Sequence, residues 1–332
     1  MDINENIYIC VFKLLQFYNT NTIKPYNMKL MQWFNRSNKT DLFDLGENRL
    51  AQLKAEGRYS SYRNTRATLR KLSRFRGGKP LPLGAVTPEL IAGFREYLIK
   101  EEGNCNSTVT ENIKILSLLL TQAGVSQDPC AGLMLKREEH RRNYLLEEEL
   151  DRMMALRLEE GSELDRARDI FYLECRTGLR ISDLLQLCWG SFNGETLQVK
   201  MQKTQREVTV PVTKSVRRIL EKYRHLFSSA EERIFPFLGM EEWRTDEFSL
   251  SRALVAATCR VNQLVKLIAE RAGIKKNIST HVGRHTFATM LISKGASIYE
   301  VKELLGHRDV KVTQVYAHLL DDRKRELMEM LE

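Results

Sequence analysis

Residues 177–187 read TGLRISDLLQL, and within this stretch one helical pattern stops and another starts. Apolar residues recur at helical spacing over 164–177, and Gly178 then interrupts them. Glycine takes the left-handed conformation of a helix end more readily than any other residue. A new helix is predicted over 181–187. Arg180 and Asp183 are three residues apart, about one helical turn, so they are neighbours at the start of the new helix.

Downstream of this turn the hydrophobic period changes from helical to two. Apolar and polar residues alternate over 197–202 and again over 208–212, on either side of a polar segment. Such alternation is typical of half-buried strands and predicts a β-hairpin. Lys203 falls at the tip of this hairpin, and Lys200 falls in the middle of its first strand.

The remaining pattern is helical, so we predict a mainly α protein with a small antiparallel β-sheet. Predicted helices cover residues 45–76, 88–100, 107–122, 213–227, 249–272, 285–294 and 298–305. A chain of 332 residues is longer than one hydrophobic core usually serves, which predicts two domains. The stretch KREEHRRN at 136–143 has no apolar residue and is typical of a linker or of a solvated helix end. The predicted organisation is a weakly ordered leader or short helical extension at 1–44, a helical domain at 45–134, a linker at 135–143 and a second domain at 144–332.

Basic residues are concentrated in the first half of the chain. Residues 1–142 carry 22 Lys/Arg and 14 Asp/Glu, whereas residues 143–332 carry 30 and 29. Over residues 49–79 there are ten basic residues and one acidic residue. This asymmetry predicts that one basic helix face binds a polyanion, the alternative being a solvated basic helix. The face consists of Arg58, Arg63, Arg66 and Arg70.

The composition argues against several other classes of protein. The chain has no apolar run of the ~18–20 residues that a membrane span needs. Its acidic first residues do not fit a signal peptide. The six cysteines form no CxxC pair, which argues against a zinc or disulfide framework and favours a reducing, cytoplasmic setting.

Two further motifs lie toward the C-terminus. Residues 281–289 read HVGRHTFAT, and residues 304–308 read LLGHR, with Tyr316 nine residues after His307. Taken singly, these residues have ordinary interpretations, such as a surface arginine or a half-buried tyrosine whose hydroxyl is exposed to solvent. Four of the six histidines lie in this region, but Val and Gly stand where a zinc helix carries its Glu. Nearby Lys and Arg side chains would also repel a dication, so we do not expect a metal site.

Taken together, two arginines, two histidines, a lysine and a tyrosine suit a phosphodiester under attack. Arginine supplies permanently charged, forked donors that match phosphate oxygens. Fixed cations stabilise the charge that gathers on the nonbridging oxygens in the transition state. Tyrosine becomes a useful nucleophile when a base or a positive field helps it to lose its proton.

The order of these motifs resembles the tyrosine recombinase (phage integrase) family. The resemblance rests on five features in sequence, which are the TGLRISDLLQL stretch, a hairpin lysine, HVGRHTFAT, the Leu-Gly-His triplet and a tyrosine nine residues after its histidine. It extends over about residues 45–332, and residues 45–134 resemble the helical core-binding (SAM-like) domain of that family by architecture. It implies a two-domain clamp that binds double-stranded DNA at inverted-repeat core sites.

The resemblance also implies a role for each site residue. Tyr316 would be the nucleophile and would leave a 3′-phosphotyrosyl link with a free 5′-hydroxyl. Arg180 and Arg284 would clamp the scissile phosphate, to which His307 would donate. His281 would be the general base for Tyr316. Lys203, rather than Lys200, would be the acid for the departing 5′-oxygen, and Asp183 would orient Arg180. His285 and His318 are left out of the catalytic set.

The family chemistry further implies no cofactor, neither ATP nor metal, and a homotetramer that assembles on DNA. Residues 321–332 carry Leu327, Met330 and Leu331 on one face, which suits docking on a neighbouring subunit or packing on the same domain. We expect a cytoplasmic, nucleoid-associated enzyme of integration, excision or inversion, with room for an accessory directionality factor. The alternatives are a type IB topoisomerase-like enzyme and a catalytically inactive DNA-binding protein on the same scaffold.

Overall fold

The computed structural model describes residues 40–125, 127–136, 143–224, 229–238, 246–307, 309–310, 313 and 328. The chain divides into two compact units. Among the described residues, the first consists of 40–55 with 61–136, and the second of 56–60 with those from 143 onward. Each unit is described by itself, and the domain bounds drawn from the sequence stay predictions.

The first unit is helical. Its helices are α1 (Leu42–Ala55), α2 (Tyr59–Phe75, whose first two residues belong to the second unit), α3 (Pro88–Lys100) and α4 (Asn106–Gln122). The single helical segment predicted over 45–76 is wrong, because Gly57 breaks it with a left-handed φ of 68°. The predicted start of α3 is confirmed, since Pro88 is its first residue and the Thr87 hydroxyl accepts from the Leu90 N–H at 3.3 Å.

One face of each helix in this unit forms its core. Ile91, Phe94 and Leu98 of α3 and Leu116 of α4 are fully buried, at the spacings that bring successive residues to one helix face. On α2 the buried residues are Thr65, Thr68, Leu69 and Leu72. The opposite face of α2 therefore carries its charged residues into solvent.

The second unit is helical with one hairpin. Its elements are α5 (Glu147–Met154), α6 (Glu163–Thr177), α7 (Ile181–Leu184), β1 (Thr196–Lys200), β2 (Glu207–Pro211), α8 (Lys214–Arg224), α9 (Glu247–Arg271), α10 (Thr280–Ser293) and α11 (Ile298–Leu304). Helix α6 lies in the core, with ten of its fifteen residues buried. It begins at the Ser162 N-cap and ends at Gly178, whose φ of 65° confirms the predicted helix end.

The predicted hairpin is confirmed. Strands β1 and β2 pair in antiparallel register, with Leu197 opposite Val210 and Lys200 opposite Glu207. Leu197, Val199 and Val210 are buried, so one face packs on the core and the other meets solvent. Lys200 is the last residue of β1 rather than a mid-strand residue. The mainly α fold with a small antiparallel sheet is thus observed.

Helix α10 begins at Thr280, five residues before the predicted start at 285. The first N–H group of this helix has no acceptor within the helix. It is Thr280 N–H, which donates to the side-chain oxygen of Asn262 on α9 at 2.8 Å. Gly283 lies inside this helix. A side chain does not fit at this position, because a Cβ there would lie 2.8 Å from a carboxylate oxygen of Glu174. The early start places His281 and Arg284 on the first two turns of the helix.

A buried ionic cluster ties α6 to α8. Lys222 donates to Asp165 at 2.5 Å and to Asp169 at 2.7 Å, and the Tyr223 hydroxyl donates to Asp169 at 2.9 Å. Both carboxylates are 2% exposed, so they depend on these partners for charge compensation. Within the described ranges, every helix is too short or too polar to cross a membrane.

Candidate active site

Arg284 joins two separate loops of the second unit. It lies on α10 with 7% of its surface exposed. Its Nη1 donates to the Gly178 carbonyl at the end of α6, and its Nη2 donates to the Leu305 carbonyl at 2.7 Å. The same Nη2 lies 3.0 Å from Nε2 of His307. A buried guanidinium thus holds the TGLR loop and the Leu-Gly-His loop together, with its permanent charge beside both.

His307 is held at both ring nitrogens. Arginine can only donate, so Nε2 accepts from Arg284. Nδ1 lies 2.9 Å from the hydroxyl of buried Thr313 and carries the proton in the neutral ring. The His307 backbone N–H donates to the Lys302 carbonyl at 3.1 Å. The ring is therefore fixed in one orientation beside Arg284.

Arg180 lies at the N-cap of α7 and is half-buried. Its Nη1 lies 3.3 Å from the Met201 sulfur. A Cβ on residue 306 would lie only 2.4 Å from that sulfur, so Met201 packs closely on Gly306, which also has a left-handed φ of 61°. Burial lowers the pKa of Arg180, and the Asp183 carboxylate acts in the opposite direction. Met201 therefore links Arg180 to the loop that carries His307.

Asp183 is buried and bonds to the hairpin. Its Oδ1 accepts from the Gln202 backbone N–H at 3.0 Å. Burial raises the pKa of this carboxyl, against the lowering effects of that N–H bond and of Arg180 and Arg284. The structure thus gives Asp183 a direct hairpin contact that the sequence did not indicate, and its orientation of Arg180 stays a prediction.

Lys203 is exposed in the turn between β1 and β2, at the tip of the hairpin where the sequence placed it. Lys200 is exposed too, opposite Glu207 in the last paired position of the sheet. His281 is exposed on the first turn of α10, and His285 is partly buried one turn later. Tyr316 and His318 lie outside the described residues, so the nucleophile assignment stays a prediction.

Sequence reasoning missed two residues beside these groups. Glu174, fully buried on α6, packs against Gly283 and lies near Arg284. Neither of its oxygens has a hydrogen bond of ordinary geometry to a described residue. Burial raises the pKa of Glu174 well above its usual value, although Arg284 and the Ile181 N–H oppose the shift. Arg206, at the end of the hairpin turn, contacts the His307 carbonyl. Neither residue belongs to a motif that could have indicated it.

The predicted basic face is exposed where the structure describes it. Arg63, Arg66 and Arg70 follow one another along the solvent side of α2. Arg58 precedes this helix and pairs with Glu56 at 3.2 Å. Among the described residues, no group of three or more His, Cys, Asp or Glu side chains is arranged to hold a metal ion.

Comparison with known proteins identifies the family. Residues 143–323 match the phage integrase family, and residues 41–127 match the phage integrase SAM-like domain. Tyrosine recombinase XerD of Oceanobacillus iheyensis is 27% identical over 249 residues, which cover 71% of this chain and 79% of that protein. XerD of Shewanella oneidensis is 27% identical over 267 residues, which cover 79% and 87%.

Solved structures share the fold. A lambda integrase dimer bound to a COC′ core site matches with a TM-score of 0.61 at 18% identity, over 83% of this chain and 95% of that one. The Tn1549 transposon integrase in complex with transposon right end DNA matches with a TM-score of 0.60 at 18% identity, over 88% and 99%. The family match covers more than half of the sequence, so the chain belongs to the phage integrase family and is a tyrosine recombinase, an enzyme of site-specific recombination.

Proposed function

We propose that this recombinase cuts and rejoins double-stranded DNA through a 3′-phosphotyrosyl link to Tyr316. The observation that carries the proposal is the meeting of Arg284, the Gly178 loop and His307 at one point of the second unit. The guanidinium of Arg284 places a permanent charge beside one phosphate, and the imidazole of His307 becomes a second N–H donor there once its Nε2 is protonated.

The proposed reaction is one in-line displacement at phosphorus. The Tyr316 oxygen attacks and loses its proton to His281. The bond from phosphorus to the tyrosine oxygen forms while the bond to the 5′-oxygen breaks. Lys203 gives a proton to that departing oxygen, which leaves as a hydroxyl. Religation reverses these steps, because the phosphotyrosyl bond conserves the energy of the phosphodiester.

Binding of the phosphate requires a change at His307. In the structure its Nε2 accepts from Arg284, so it has no proton to offer there. A phosphate oxygen that enters between the two side chains takes over the Arg284 donor. His307 takes up a proton from solvent at Nε2, becomes the imidazolium and then donates from that nitrogen to the phosphate. The half-buried Arg180, whose Nη1 contacts the Met201 sulfur, supplies the second guanidinium.

DNA with inverted-repeat core sites is the proposed partner, bound by a homotetramer in the cytoplasm and nucleoid. Arg63, Arg66 and Arg70 are exposed on one side of α2, which suits contact with backbone phosphates. Phosphate contacts position the protein, whereas sequence is read at base edges. The proposed reaction uses neither ATP nor a metal cofactor, and an accessory factor would set its direction.

A suicide-substrate assay tests the proposal. Nicked duplexes drawn from the DNA that flanks the gene are mixed with the protein in chelator and run on a denaturing gel. Cleavage next to the nick releases a short fragment and traps the covalent intermediate. We expect a protein–DNA band that Tyr316→Phe abolishes while DNA binding persists.

The opposite outcomes are equally clear. Tight binding across a genomic library without any covalent band would refute the proposal in favour of an inactive DNA-binding protein. Relaxation of supercoils by a monomer without synapsis would refute it in favour of a topoisomerase-like enzyme.

A further inference from the structure

We propose that Arg206 is a positioning residue, which holds the β1–β2 hairpin against the loop of His307 and so places Lys203 over the reacting phosphate. This inference rests on the proposed function, because Lys203 matters only if a 5′-oxygen has to be protonated.

The contacts of Arg206 cross from the hairpin to the loop. Its Nη1 donates to the His307 carbonyl at 3.2 Å. Its Nη2 donates to the Glu303 carboxylate on α11, also at 3.2 Å. Its own carbonyl accepts from the Met201 N–H at 2.8 Å, which closes the base of the turn. The side chain therefore leaves the hairpin where the turn ends, three residues after Lys203.

The loop has anchors of its own. Arg284 holds the Leu305 carbonyl, and the His307 N–H bonds to Lys302. The His307 ring is held by Arg284 and Thr313. Loss of Arg206 therefore leaves the phosphate clamp in place, and the hairpin is the element that loses support.

The hairpin is held differently on its two sides. On the β1 side, the Gln202 N–H bonds to buried Asp183, and Met201 packs on Gly306. On the β2 side, Val208 lies close to Gly306 through van der Waals contact alone, and Arg206 provides the hydrogen bonds to the loop. The hydrogen bond from Gln205 N–H to the Met201 carbonyl, at 2.8 Å, lies inside the turn and cannot orient it. Without Arg206 the β2 side keeps only the approach of Val208 to Gly306, which does not fix the direction of the turn, so the turn can shift about its β1 anchor and displace the exposed Lys203.

The expected defect is in rate rather than in folding. The Arg206 and Glu303 side chains are 39% and 59% exposed, and exposed ion pairs add little to stability. A general acid contributes about 10²–10⁴-fold to rate, and misplacement of about an ångström forfeits much of that. We expect Arg206→Ala to slow single-turnover cleavage by roughly 10–100-fold at saturating DNA.

A sulfur substitution at the leaving atom tests the mechanism. Cleavage is measured on a normal duplex and on one with a 5′-bridging phosphorothiolate, whose thiolate leaves without an acid because thiols are much stronger acids than alcohols. We expect Lys203→Ala and Arg206→Ala to be slow on oxygen and restored on sulfur. His307→Ala should be slow on both. Arg271→Ala, which removes an exposed arginine at the end of α9, is the matched control.

Three results would overturn the inference. Arg206→Ala could cleave both substrates at the wild-type rate. It could be equally slow on both, which would assign it to the phosphate clamp. It could show a defect that disappears as DNA concentration rises, which would make it a DNA contact. Failure of the wild-type protein to form a covalent product on either duplex would instead refute the proposed function, and the inference with it.

Discussion

Replacement of Glu174 by glutamine tests how the buried carboxyl beside Arg284 affects stability. Glu174 is fully buried, and burial raises its pKa well above that of an exposed glutamate. The folded state therefore keeps the proton at pH values where the unfolded chain, with a glutamate pKa of about 4.3, has lost it. Because the folded state binds more protons, the free energy of unfolding falls as pH rises above that value.

The magnitude follows from the count of protons. One proton held only by the folded state changes the free energy of unfolding by about 1.4 kcal/mol per pH unit. The slope applies from just above pH ~4.3 up to the raised pKa of the folded state. Glutamine has the shape of the protonated acid and has no proton to lose. Relative to wild type, Glu174→Gln should therefore gain about 1.4 kcal/mol of stability per pH unit from about pH 5 upward, for as long as the pH stays below the raised pKa of the folded state.

Urea unfolding at several pH values measures this difference. Glu163→Gln is the control, because the Arg260 side chain lowers the pKa of the partly exposed Glu163. Glu163 is thus ionised in both states above about pH 4.3 and adds no slope there. A difference between Glu174→Gln and wild type that does not change with pH would refute the reasoning. So would a wild type that gains stability over Glu174→Gln as pH rises, since Glu174 would then be an ionised partner of Arg284.

Two further predictions concern the ionic cluster and the basic face. Lys222→Met removes the cation that bonds both buried carboxylates and leaves them Arg168, which lies 2.7 Å from Asp165 and 3.9 Å from Asp169. We expect a loss of about 3 kcal/mol in urea unfolding; a loss below about 1 kcal/mol would show that Lys222 is not needed for charge compensation. Changing both Arg63 and Arg66 to Ala should weaken DNA binding and reduce the slope of log affinity against log salt by about two units. An unchanged slope in a salt titration of binding would exclude this face as a phosphate contact.

Local patterns predicted most of the helices and the hairpin. The start of α3 follows from Thr87 and Pro88, and the end of α6 follows from Gly178. The predicted end of α7 at 187 was wrong, because the helix ends at Leu184. Two further bounds were wrong for a physical reason. Gly57 was missed as a break because the helical spacing of apolar residues continues across it. The start of α10 was placed too late, at 285, whereas the helix includes Gly283, a residue that leaves room for the close approach of Glu174.

The candidate site was likewise predicted in part from the sequence. Motif order predicted that Arg180, Arg284 and His307 act together, and the structure brings Arg284 against His307 at 3.0 Å. Their roles at a phosphate, like those of Lys203, His281 and Tyr316, stay predictions. Glu174 and Arg206 could not be predicted, since each matters through a contact with a residue about a hundred positions away.

The sequence by itself determined the mainly helical fold, the hairpin with Lys203 at its tip, the basic first half and the ordered motifs that identify the family. These properties depend on residue type and on spacing within a few turns, which a linear pattern records. Only the tertiary structure decided that Arg284 bonds to the Gly178 and Leu305 carbonyls, that Asp183 holds Gln202 and that Glu174 is buried without a hydrogen bond of ordinary geometry to a described residue. Those contacts join segments far apart in the chain, and packing against the shared core, rather than local periodicity, brings them together.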